Sequence, residues 1–149
     1  MGSIHTFHNK SSWSSGLKGD GSADVTGTSI PFGVPASMGG DAGRTNPEEL
    51  LLASVSACYC ITLGILTERK RISVKSIVVD AEGTVESQLG GTLKYTAIVI
   101  RATIVAESND ETIVRTLTDL AYKAEQYCPI SSALKGNVEI SVEPSVVSG

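Results

Sequence analysis

At 149 residues, with 41% hydrophobic and 19% charged side chains, the chain has the composition of a soluble globular protein, and a single domain over residues 1–149 is the expectation. The net charge is −4, and the basic residues are scattered apart from Glu68-Arg69-Lys70-Arg71, so there is no basic face for a phosphate backbone and nucleic acid is set aside. Three cysteines are an odd number, and the sequence lacks the charged start and long apolar stretch of a signal peptide; both argue against a secreted disulfide framework and for a reducing cytoplasm, where a disulfide is transient and redox-active.

Residues 1–46 are rich in Gly, Ser and Thr, with short β-compatible pieces at Ile4-Phe7 and Ala23-Thr28 that read as a strand or hairpin leading into a flexible connection over Ser37-Gly43. Asn46-Pro47-Glu48-Glu49 supplies an N-cap, a proline at the first helical position and acids in the first turn, which predict a helix running to about Arg69. Its middle, Leu50 to Leu66, is apolar nearly all round and predicts burial on most faces. A membrane span competes with that reading, but the stretch is only marginally long, carries hydroxyl residues and Gly64, and sits between charged ends.

Next comes an alternating strand with Ile77, Val79, Ala81 and Val85 on one face and Asp80, Glu82, Thr84 and Glu86 on the other. After a turn at Leu89-Gly90-Gly91, a strand over Thr92-Ala106 loses its alternation at Ile98-Val99-Ile100, as a strand covered on both faces does. Ser108 with Glu111 reads as a capping box, and Ile113, Leu117, Leu120, Ala121, Ala124 and Cys128 recur on one helical face, so Cys128 points inward. Pro129 ends that helix and opens a short one stopped at Lys135-Gly136. A last strand, with Val138, Ile140 and Val142 inward, completes an α+β domain.

A single chain of this size usually gives a central helix one sheet face to cover, so a helix apolar all round calls for a second copy. Glu48 and Cys58 point the same way. Ten residues of helix set them about 15 Å apart, so if they share a site a second copy must bring one to the other. Glu48 also has a plain reading, with Glu49, as a first-turn acid that complements the helix dipole.

Buried cysteines are most often packing residues, a reading that fits Cys60 in full. Cys58, mid-helix, and Cys128, at a helix-to-proline junction, are equally compatible with reactivity; a mid-helix thiol needs a nearby cation to lower its pKa, and Arg44 and Lys18 are the candidates. Cys58-x-Cys60 with only His5 and His8 elsewhere does not make a zinc site. The loop at 39–43 lacks the Gly-Lys-Ser/Thr ending of a phosphate cradle, and no Ser-His-Asp grouping can be assembled.

Thr45-Asn46-Pro47-Glu48-Glu49-Leu50 with Cys58 ten residues after Glu48, followed seventy residues later by Cys128-Pro129-Ile130-Ser131, resembles the OsmC/Ohr family of peroxide-reducing proteins over nearly the whole chain. The resemblance implies an intertwined homodimer of α+β subunits, with curved antiparallel sheets around long central helices and active sites at the dimer interface. It implies a thiol peroxidase acting on organic hydroperoxides, without a bound cofactor, regenerated by an external dithiol of lipoyl type. By residue, Cys58 matches the peroxidatic cysteine, Cys128 the resolving cysteine, and Glu48 the carboxylate that positions a catalytic arginine. That arginine is where the chain departs: the family's positions hold Lys18-Gly19-Asp20 and Met38, leaving Arg44 at a shifted position, or a lysine, to substitute. An apolar pocket beside Leu51, Val55 and Tyr59 is expected to take the organic group. The rival expectation is a non-catalytic dimeric thiol sensor or ligand-binding protein of the same fold.

Overall fold

The computed structural model describes residues 2–149, which divide into two compact units, the first ending at Leu50 and the second covering Leu51–Gly149. The first unit is built on a small antiparallel sheet in the order β1 (Lys10–Ser14), β2 (Asp20–Val25), β3 (Thr28–Phe32). β1 reads Lys-Ser-Ser-Trp-Ser and is exposed throughout; its strand state comes from the backbone ladder to β2 and from Trp13 stacking on Phe32 at 5.7 Å. The β-compatible piece expected at Ile4-Phe7 forms no strand, and Ile4 and Phe7 stand in solvent. Of the strand or hairpin expected there, the hairpin forms: Ala23-Thr28 is the tip of β2–β3, turned at Gly27, whose φ of 83° suits a residue without Cβ.

After β3, Gly33 N–H donates to Thr45 O at 2.9 Å and Phe32 bridges Thr45, which returns the chain to its helix start. Within the expected flexible connection, Ala36–Met38 form a 3-10 turn closed by Gly39 in the left-handed region.

Helix α1 spans Pro47–Arg69 and starts as its sequence predicts. Asn46 Oδ1 accepts from Glu49 N–H at 2.8 Å while Asn46 Nδ2 donates to Glu49 Oε1 at 2.5 Å, a reciprocal cap. From Leu51 on, α1 belongs to the second unit, where it meets β4 (Val74–Ser87), β5 (Leu93–Ala106), α2 (Glu111–Tyr127), α3 (Pro129–Leu134) and β6 (Glu139–Ser148). β4 alternates as expected and pairs antiparallel with β5 around a turn with Gly90 and Gly91 at positive φ. The central strand β5 buries Ile98, Ile100, Ala102, Ile104 and Ala106, with Val99 half-buried between. β6 lies on the other side of β5 and runs parallel to it. The sheet is therefore mixed rather than antiparallel throughout, because α2 and α3 lie between β5 and β6, and a crossover of that length can bring the chain back in the same direction.

The cap of α2 is also two residues from the expected place. Asp110, not Ser108, is the N-cap, its carboxylate accepting from Thr112 and Ile113 N–H at 2.9 and 3.3 Å, while Ser108 Oγ accepts from Asp110 N–H. A carboxylate is the stronger acceptor for two orphan amides, and Ser108 is left to brace it. The inward face reads as predicted, with Leu117, Leu120, Ala121 and Ala124 buried and Ile113 packed at the edge.

The core joins these residues to a stripe of α1: Val55, Tyr59 and Leu63, with Thr67 continuing the same i, i+4 line. Burial on most faces of α1 does not occur within one chain. By length and composition α1 is apolar enough to cross a bilayer, yet only 22% of its most apolar window is buried, and Ile61 and Ile65 are 64% and 42% exposed. One core surface can cover one stripe of a helix; the rest needs another surface.

Candidate active site

Cys58 is carried by α1 immediately before Tyr59, whose hydroxyl donates to Ala121 O at 2.6 Å and ties α1 to α2 through the core. Burial raises the Tyr59 pKa and keeps it a donor. Two turns beyond Ala121, α2 ends at Cys128, fully buried, which is at once the C-cap of α2 and the N-cap of α3. Pro129 at the first position of α3 has no N–H to satisfy, and the Cys128 sulfur accepts from Ser131 N–H at 3.5 Å.

This junction brings the two distant sulfurs together. The Cys58 thiol interacts directly with the Cys128 thiol, with the backbone of Ile130 and with the hydroxyl of Thr62, and all three cysteines are free thiols. Burial pushes the Cys58 pKa up from its ordinary value, and the hydrogen bond with Cys128 adds to the rise. Ile130 and Thr62 act in the opposite direction. Thr62 and Ile130 were not among the predicted site residues; the i, i+4 spacing of Cys58 and Thr62 is the sequence signal for the first, whereas a backbone contact leaves none. Cys60, two residues on, is half-buried and its pKa is raised by burial, in keeping with packing.

The remaining predicted groups belong to the first unit. Arg44 lies with its guanidinium against Gly33 and forms an ion pair with Asp20, and Lys18 pairs with Asp41 at 3.1 Å. Glu48, half-buried, lines a cleft of about 320 Å³ with Trp13, Phe32, Val34, Pro35 and Met38. Of the residues expected beside an apolar pocket, Val55 and Tyr59 are fully buried in the core and Leu51 is half-buried.

Residues 39–143 match the family described as OsmC-like protein. The chain belongs to this family. The match includes both cysteine motifs that carried the resemblance. The OsmC-like chain is 32% identical over 148 residues to the uncharacterized protein YmaD of Bacillus subtilis, covering 97% of each. It is 29% identical over 111 residues to the organic hydroperoxide resistance protein of Xanthomonas axonopodis pv. citri, covering 73% of each. Its α+β fold matches the crystal structure of an organic hydroperoxide resistance protein OsmC from Legionella pneumophila with a TM-score of 0.78, at 22% identity, over 95% of this chain and 99% of that one.

Proposed function

We propose that this OsmC-like protein is a cytoplasmic thiol peroxidase that reduces organic hydroperoxides to alcohols through a Cys58 sulfenic acid and a Cys58–Cys128 disulfide. The observation that carries the reading is the contact between two thiols seventy residues apart in sequence, one of them wholly buried at a helix junction. The Cys58 thiolate attacks the terminal peroxide oxygen, the O–O bond breaks, and the departing alkoxide takes a proton to leave as the alcohol. The sulfenic acid then condenses with the Cys128 thiol, forming the S–S bond and releasing water. An external dithiol, lipoyl-type by family resemblance, reduces the disulfide by exchange.

The active form is a homodimer. The uncovered stripe of α1, with Ile61 and Ile65, packs against a second copy, which brings to Cys58 the partner copy's equivalents of Arg44 and of Glu48, the latter out of reach along ten residues of its own helix. A cation there lowers the thiol pKa and stabilises the leaving oxygen. The apolar cleft beside Glu48 takes the organic group, where each buried CH₂ contributes about 0.8 kcal/mol.

A second reading, a thiol sensor without turnover, is favoured by the raised Cys58 pKa and by the engagement of Arg44 with Asp20. Titration of the reduced protein with cumene hydroperoxide and then hydrogen peroxide separates the two. The peroxidase consumes cumene hydroperoxide faster, shows the 58–128 link by mass, and turns over with a dithiol; oxidation without turnover supports the sensor, and no preferential oxidation of Cys58 sinks both.

A further inference from the structure

We propose that Thr62 is a positioning residue for the reactive sulfur: from one helical turn beyond Cys58 its hydroxyl donates to the thiolate and fixes its direction. The inference rests on Cys58 being the attacking thiol.

Its basis is geometric. Residues four apart on a helix lie on one face, and α1 is continuous through both, so the Thr62 side chain stands over the turn that carries Cys58. Threonine in a helix ordinarily spends its hydroxyl on a carbonyl three or four residues earlier. Thr67 does so with Gly64 O at 2.8 Å, Thr116 with Thr112 O at 2.9 Å and Thr118 with Val114 O at 2.8 Å. Thr62 stands one turn beyond Cys58 on the same helix face, and its hydroxyl favours the ionised form of the Cys58 thiol. Thr62 is half-buried and also lines a groove with Ile65, Leu66, Arg69 and Tyr127.

The chemistry needs such a group. On ionisation the Cys58 proton passes to water, and the charge left on a mid-helix sulfur, remote from the helix N-terminus, requires donors. Within the second unit the titratable group facing Cys58 is Cys128, which opposes ionisation; Thr62 and the Ile130 backbone supply the donors that favour it. A hydroxyl that donates to the sulfur also holds one lone pair, leaving another directed at the peroxide.

The test is the pH profile of iodoacetamide alkylation at Cys58, read by peptide mass in full-length reduced protein with Cys60→Ser, so that the peptide carries one thiol. Any cation supplied by a second copy acts equally on every variant. Thr62→Val shifts the midpoint upward by about one pH unit, and alkylation at pH 7 slows about tenfold. Thr62→Ser restores the parent profile. Thr62→Ala, compatible with the helix, repeats the shift if Thr62→Val does not fold. Coincident profiles for the parent and a folded Thr62→Val or Thr62→Ala protein, or a Thr62→Ser profile that follows Thr62→Ala, overturn the assignment. Because alkylation uses no peroxide, an unmoved profile in a protein that still turns over hydroperoxide removes Thr62 alone, whereas a moved profile without turnover removes the peroxidase reading instead.

Discussion

Helices α1 and α2 share one core, and each gives it a single stripe: Val55, Tyr59 and Leu63 from one, Leu117, Leu120, Ala121 and Ala124 from the other. Their outer sides differ. α2 turns Arg115, Asp119 and Lys123 to solvent, with Arg115 and Glu111 paired at 3.6 Å one turn apart. α1 turns out Ser54, Ala57, Ile61 and Ile65, a 3-4-4 spacing with little charge, of the kind that packs helix against helix. An amphipathic helix is completed by its own chain; one apolar all round is completed only by a further surface. Cys58, the proposed attacking thiol, stands on the incomplete helix, and Cys128, its buried counterpart, at the end of the complete one.

The comparison breaks most visibly at the outer side of α1. Ile61→Glu with Ile65→Glu sets carboxylates into the proposed helix contact, each at a desolvation cost of several kcal/mol, and light scattering should show a dimeric parent become a monomer that keeps its helical circular dichroism. Lys123→Glu on the outer side of α2 should leave mass and stability within about 0.5 kcal/mol of the parent. The reverse outcome would assign the partner surface to the wrong helix.

On the inner sides the two helices should behave alike. Leu63→Ala and Leu117→Ala each remove a fully buried side chain, and urea unfolding should register a loss of about 2–5 kcal/mol for either. A much smaller loss at Leu63 would mean that α1 is held chiefly by its outer contacts. At the starts of the helices, Asn46→Ala and Asp110→Ala should each cost about 1 kcal/mol in the same measurement, and Ser108→Ala less. The smallest effect is expected for Cys60→Ser, with peroxide turnover close to the parent's; a large loss would transfer the chemistry to the wrong sulfur's neighbour.

Much of this arrangement is legible in the residues. Asn46-Pro47-Glu48-Glu49 states the start of α1, the alternation from Ile77 to Glu86 states β4, and the helical recurrence from Ile113 to Cys128 turns that cysteine inward, because each pattern is a local response to water on one side and core on the other. β1 escapes the same reading: Lys10 to Ser14 has no buried face, so its strand state depends on pairing with the Asp20–Asp24 stretch of β2. The direction of β6 is hidden for a related reason, since alternation fixes which face is inward but not which way a strand runs. Asp110 takes the place of Ser108 as the cap because the helix starts two residues later than Ser108 would start it, a choice decided by backbone geometry. Within the site, the meeting of Cys58 and Cys128 follows from two motifs, whereas the contact with the Ile130 backbone depends on how α3 turns and leaves no mark on residue type.

Cys128 closes one helix and opens the next with the same sulfur, which is the acceptor for Ser131 N–H. In the proposed disulfide with Cys58 that sulfur would be withdrawn from the amide, and the first turn of α3 would loosen. Deuterium uptake at Ser131 would then be a spectator of oxidation state, slow in the dithiol protein and fast in a bridged one, read from a position that takes no part in the proposed electron transfer.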